Sequence, residues 1–186
     1  MLIGLGGNLG CGKNYIAEKI ISKYIINSLV IGFGDHVKVE ASRLFGFSFH
    51  ELFVEKNKNS RKKLQTFATE ENREILGQDT WINALKVWMD IFETRGINNF
   101  IIPDVRFENE ATFIKNQGGL LIKVVAPDRT WEKALQETKG NKEEAEKILS
   151  HSSEKGIPDE YYDFVLDNTK SNEKNIESII RKILNI

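Results

Sequence analysis

The sequence predicts a single α/β domain over residues 1–186, with a parallel sheet covered by helices on both faces. Three observations lead there. Short apolar runs alternate with amphipathic helical patterns, the order that produces parallel strands joined by crossover helices. A chain of 186 residues suits one domain with a sizeable core. No internal repeat, low-complexity tract or linker rich in proline and serine divides it.

The elements follow in order. Leu2 to Leu5 is a short apolar run before glycines and reads as a buried strand. From Lys13 the period becomes helical: Ile16, Ala17, Ile20, Ile21, Tyr24 and Ile25 share one face, and Glu18, Lys19, Ser22 and Lys23 the other. Leu29 to Phe33 is a second strand closed by Gly34. A mostly helical insertion, about 35–95, is interrupted near Gly46 and at Asn57 to Ser60. Phe100 to Asp104 is a third strand ending in an acid. Phe107 to Asn116 is a helix stopped by Gly118-Gly119, and Leu120 to Val125 is the fourth strand. A second insertion, about 127–158, holds two charged helical pieces either side of Gly140. Phe164 to Leu166 is the fifth strand, and the last helix buries Ile176, Ile179, Ile180 and Ile183.

Composition narrows the function. Lys plus Arg number 26 against 27 Asp plus Glu, a net charge of −1, which argues against a dedicated nucleic-acid binder. The stretch Lys56 to Lys63 is rich in cations but lacks interleaved aromatics, so it does not change that reading. The single cysteine, Cys11, forms no internal disulfide and fits a reducing compartment. No apolar run approaches the roughly 18 residues of a membrane span. Met1 to Gly7 lacks the basic region and long apolar core of a signal peptide. The expectation is a soluble cytoplasmic protein without nucleic-acid or membrane partners.

Gly7-Asn8-Leu9-Gly10-Cys11-Gly12-Lys13 fits the phosphate-loop pattern G-x-x-x-x-G-K and lies between a strand and a helix, as its mechanism requires. Its glycines let successive N–H groups surround a phosphate, and the helix start adds its dipole. Lys13 is positioned to follow charge as a phosphoryl group transfers. Asn14 stands where Ser or Thr usually holds Mg²⁺. An amide oxygen can ligate that ion, and Asp104, at the end of an apolar strand, is the second metal candidate. Cys11, beside a helix N-terminus and Lys13, is expected to be an alkylatable thiol protected by ATP.

A switch GTPase would carry Asn-Lys-x-Asp late in the chain, and Asp167-Asn168-Thr169-Lys170 does not fit. A small-molecule kinase needs an acceptor pocket and a cationic lid that excludes water. Lys38, Arg43, Arg61, Lys62, Lys63 and Arg73 in the first insertion, and Arg129, Lys133, Lys139 and Lys142 in the second, are candidates.

In its ordered motifs the chain resembles the deoxynucleoside monophosphate kinases of bacteriophages and large DNA viruses, P-loop kinases related to adenylate kinase. The segments are the loop Gly7–Lys13, Gly34-Asp35-His36-Val37-Lys38, Leu64-Gln65-Thr66-Phe67-Ala68-Thr69-Glu70, Gly77-Gln78-Asp79-Thr80-Trp81, Pro103-Asp104-Val105-Arg106-Phe107-Glu108-Asn109-Glu110, Gly118-Gly119 before the Lys123-Val124-Val125 strand, His151-Ser152-Ser153-Glu154 and Asp167-Asn168. The resemblance implies a P-loop kinase three-layer fold with a five-stranded parallel sheet, a helical NMP-binding insertion and a lid. It implies ATP and a deoxynucleotide as small-molecule partners, Mg²⁺ as cofactor, and host cytoplasm if the source is viral. Lys13, Asp104, Arg106 and Arg129 would be catalytic. Gly10, Cys11, Gly12, Lys13, Asn14, Tyr15 and Asn168 would bind ATP. Val37, Lys38, Arg61, Gln65, Thr69, Arg73, Trp81, Arg106, Glu110 and His151 would bind the acceptor. Three positions depart from the family: Asn14-Tyr15 for Asp-Thr, Ala68 for glycine and His36 for proline. A kinase of another phosphorylated metabolite and a non-catalytic ATP-binding module are the alternatives. The base accepted is not legible, nor is oligomeric state, with a homodimer left open.

Overall fold

Five parallel strands form the centre of the protein in a computed structural model, which describes residues 1–54, 63–64, 66–68, 73–151, 154, 156–169 and 173–185. They are β1 (Leu2–Gly6), β2 (Ser28–Val30), β3 (Asn99–Val105), β4 (Leu120–Val125) and β5 (Phe164–Asp167). The order β2-β3-β1-β4-β5 puts β1 at the middle, and every pairing is parallel. The chain winds to one side of β1 to make β2 and β3 and then crosses to make β4 and β5. A crevice at such a reversal is where open parallel sheets place ligands.

Alternation along the strands sorts the core into two layers. Leu2 of β1 and Phe100 and Ile102 of β3 join Phe33, Val37 and Ala41 of the Phe33–Phe45 helix. Leu85 and Met89 of the Thr80–Glu93 helix and Ile114 of the Glu108–Asn116 helix complete that layer. Ile3 and Leu5 of β1 face the other way, against Ile16, Ala17 and Ile21 and the Ile176, Ile180 and Ile183 stripe of the Glu173–Leu184 helix. Each of the larger of these side chains, when fully buried, contributes about 1.5–3 kcal/mol. Among the described residues no helix is long and apolar enough to cross a membrane.

Two boundaries differ from the sequence reading. The second strand ends at Val30, and Phe33 already opens the Phe33–Phe45 helix. The cause is an acid from another strand: Asp104 accepts the N–H groups of Phe33 and Gly34 at 3.0 and 2.8 Å, and Asp35 accepts that of Gly32 at 2.8 Å. These acceptors satisfy orphan donors of a helix start and turn the chain out of the sheet. β3 continues through Pro103 to Val105, and its register with β1 slips between Gly4 and Gly6. Proline has no N–H for the ladder, so an irregularity at that point is expected. After the loop the helix runs as Lys13–Tyr15, a π-helical Ile16–Ile21 and Ser22–Tyr24.

Candidate active site

A cleft of about 610 Å³ opens past the C-terminal ends of β1 and β3 and runs from the phosphate loop to the first insertion. Its loop wall carries Gly10, Gly12, Lys13, Asn14 and Tyr15. Gly12 has φ 97°, and a Cβ there would lie 2.5 Å from Asn168 Nδ2, so both backbone conformation and space require glycine. Lys13 is buried, its Nζ donating to the carbonyls of Gly7 at 2.6 Å and Asn8 at 2.9 Å. Burial, and secondarily the neighbouring Arg106, press its pKa below the usual lysine value. Asn14 and Tyr15 are exposed at the rim, and Tyr15 Oη donates to Glu173 at 2.9 Å.

The opposite wall holds Val37, Lys38, Arg73, Trp81, Asp104 and Arg106. Lys38 pairs with Asp35 at 2.6 Å and sits 4.5 Å over the Phe53 ring. Trp81 is buried in the core, with Nε1 donating to the Ala68 carbonyl at 2.8 Å, and it also edges the cleft. Arg106 Nη1 donates to Glu154 at 2.5 Å. Burial works to lower the guanidinium's pKa, but Glu154, with Asp104 and Glu110, outweighs it and holds the pKa up. Arg61, Gln65 and Thr69 lie outside the described residues.

Five expected site residues, Glu110, Arg129, Asn168, Cys11 and His151, are placed otherwise than expected. Glu110 lines the cleft, but its oxygens face protein donors rather than a ligand. One accepts the Arg73 guanidinium, and the other accepts the backbone N–H groups of Arg106 at 2.7 Å and Phe107 at 3.1 Å. Burial lifts this carboxyl to about 7, against the opposing pull of Arg73 and the Arg106 N–H. Arg129 and Asn168 sit behind the loop and do not line the cleft. Asn168 Nδ2 donates to the Cys11 carbonyl at 2.8 Å, and Arg129 Nη2 donates to the carbonyls of both Cys11 and Asn168. These carbonyls draw the amide and the guanidinium into a clamp that fastens the loop to the end of β5. Cys11 is fully buried against the second core layer, with Sγ 3.6 Å from Lys13 Nζ, and is shielded from the reagents expected to reach it. His151 ends the Lys142–Ser150 helix, half-buried, and does not line the cleft.

The sequence reading assigned no role to Glu154, which reaches the loop and Arg106 together. Asp35 also went without a site role, although the spacing Gly32-x-x-Asp35 before a helix is a capping signal. Among the described residues, no three His, Cys, Asp or Glu side chains cluster as a protein-only metal cage. Asp104 is one of the carboxylates lining the cleft. Each of its oxygens already accepts one N–H, which leaves each a further lone pair toward the cleft.

Comparison with known proteins gives the following. No family model matches the chain. A protein of Acanthamoeba polyphaga mimivirus, provisionally named a deoxynucleotide monophosphate kinase, is 29% identical over 199 aligned positions, covering 97% of this chain and 94% of the relative. Shikimate kinase from Bacteroides thetaiotaomicron superposes with a TM-score of 0.52 at 18% identity, covering 100% of this chain and 99% of that one. A Thermus thermophilus protein gives 0.61 at 17%, covering 100% and 96%. Dephospho-CoA kinase from Campylobacter jejuni gives 0.50 at 19%, covering 99% and 95%. The fold is that of the P-loop kinases. The similarity to the virus protein runs along nearly the whole chain.

Proposed function

We propose that the protein is an ATP-dependent kinase that transfers the γ-phosphoryl group to a deoxynucleoside monophosphate, giving ADP and the diphosphate. The observation carrying this reading is the cleft itself. One continuous space joins a glycine-rich phosphate loop and its lysine to a second wall built of Arg106, Arg73, Lys38 and Trp81. A protein that only held ATP would have no need of the second wall's cations and aromatic edge. The name borne by the mimivirus relative points the same way.

The chemistry follows from the groups present. The acceptor phosphate oxygen is already anionic, so it attacks the γ-phosphorus without a protein base. The bond to the β-phosphate oxygen breaks, and ADP leaves with the electron pair. The task of the protein is positioning and charge. Loop N–H groups and Lys13 cradle the donor phosphates, and Lys13 Nζ exchanges its loop carbonyls for phosphate oxygens. Arg106 offers a planar fork to the acceptor phosphate, which a lysine cannot. Arg73, fixed by Glu110 and stacked 4.1 Å over Phe107, supports that wall. The donor set suits Mg²⁺ held mainly by phosphate oxygens and water, with Asp104, and Asn14 from the rim, as protein ligands. When bound, the ion neutralises charge on the phosphates undergoing transfer.

Incubation with Mg-ATP and each deoxynucleoside and ribonucleoside monophosphate, followed by chromatography of the products, tests the reading. The expected result is ADP and one or more deoxynucleoside diphosphates in equal amounts. Phosphorylation of another phosphorylated metabolite alone, or tight ATP binding without product, would replace the reading with a different acceptor or a binding module.

A further inference from the structure

The carboxylate of Glu154, which is 4% exposed, lies on two groups that belong to the cleft. Its Oε2 accepts the Leu9 N–H of the phosphate loop at 3.1 Å, and its Oε1 accepts Arg106 Nη1 at 2.5 Å. Lys13 Nζ donates to the carbonyls of Gly7 and Asn8, the residues that precede Leu9 in the same loop, and on its pKa Glu154 acts upward and Arg106 downward. The Glu154 carboxylate thus joins the loop backbone to the Arg106 guanidinium, on which Asp104 and Glu110 also act. Glu154 comes from the second insertion, beyond the Lys142–Ser150 helix, so this carboxylate ties three parts of the fold at one point.

We infer that Glu154 is a positioning residue of the transfer centre, an internal counter-anion that holds Arg106 against the phosphate loop and offsets the charge of Lys13 and Arg106. Its effect on anion binding follows from the ion cluster alone, and its effect on turnover rests on the kinase reading above. A negative charge beside the loop opposes an incoming phosphate, and its removal takes that opposition away while the attraction of Lys13 and Arg106 stays. The same carboxylate orients the guanidinium, and orientation is what an in-line displacement demands. Neutralising it should therefore strengthen anion binding and slow transfer. General damage to the site would weaken both.

Glu154→Gln keeps the side-chain length and an acceptor for Leu9 N–H while removing the charge. Calorimetric titration with inorganic pyrophosphate should show binding about threefold tighter or more than wild type. With ATP and the best acceptor of the wild type, kcat should fall about tenfold or more. Pyrophosphate binding that is unchanged or weaker at wild-type Tm overturns the inference, as does kcat within about twofold of wild type. Should that variant fail to fold, Glu154→Asp keeps the charge but shortens the reach. Pyrophosphate affinity should then stay within about twofold while kcat falls about fivefold or more, and an unchanged kcat overturns the inference. If the wild type phosphorylates no nucleotide, the kinase reading and the positioning role in transfer fall together, and the pyrophosphate titration still decides whether Glu154 acts as a counter-anion at the loop.

Discussion

Lys13 holds the clearest single-residue role. Its ammonium is buried and donates to two loop carbonyls, which hold the side chain in place at little further rotamer cost for the role proposed. Lys13→Ala should reduce kcat by more than about a hundredfold, some 3 kcal/mol of transition-state stabilisation. Circular dichroism and Tm should show the fold retained, and a variant keeping most of its kcat would remove the loop from the mechanism. Asp104 combines two tasks, since its oxygens cap the Phe33–Phe45 helix while facing the cleft. Asp104→Asn keeps one acceptor oxygen and places an NH₂ against a backbone N–H. We expect a stability loss of about 1 kcal/mol by urea denaturation together with a strong fall in kcat. A loss of stability with normal turnover would make the acid a cap alone. Cys11 is fully buried, so a thiol reagent should modify it in urea and not in buffer, with or without ATP. Rapid labelling of the native protein would show that the loop opens far more than its packing indicates.

At the scale of elements, the Glu108–Asn116 helix is tied to the first insertion by one buried carboxylate. Glu110 caps that helix through the N–H groups of Arg106 and Phe107 and anchors Arg73, while Arg73 also donates to the Gln78 carbonyl at 3.3 Å. Because burial raises the Glu110 carboxyl from 4.5 to about 7, the folded protein binds this proton more tightly than the unfolded chain does. The sign follows from linkage: the contribution to stability is fully present below pH 4.5 and is lost as pH rises through about 7. The stability of the wild type relative to Glu110→Gln should therefore decline from pH 5 to 8, with a slope of at most about 1.4 kcal/mol per unit. Urea titrations of both proteins across that range measure it, and parallel profiles would show that Glu110 titrates as an ordinary carboxylate. Above pH 7 the carboxylate is ionised and the Arg73 clamp complete, so the acceptor KM should be lowest on the alkaline side.

Across the whole molecule, the strands and the loop were legible because each rests on local pattern. Leu2–Gly6 and Leu120–Val125 are apolar runs bounded by glycine or proline, and the loop carries its own spacing between strand and helix. The Phe33 boundary was not legible, because the acid that starts its helix lies 71 residues away in β3. The same holds for the site. Lys13, Asp104 and Arg106 could be placed from motifs, whereas the partners of Glu110, Glu154 and Asn168 depend on how distant segments pack. Polar side chains at such spacing look alike in sequence whether they meet a ligand or hold another residue.

Those packed partners serve one claim, that the cleft brings a nucleoside triphosphate and a nucleoside monophosphate together for direct transfer. A single-turnover experiment with ATP labelled in its γ-phosphate, enzyme in excess, and each deoxynucleoside monophosphate in turn tests it most directly. The label should appear in the β-phosphate of a deoxynucleoside diphosphate, with Lys13→Ala giving none. Label recovered only as inorganic phosphate, or remaining in ATP with every acceptor, would contradict it.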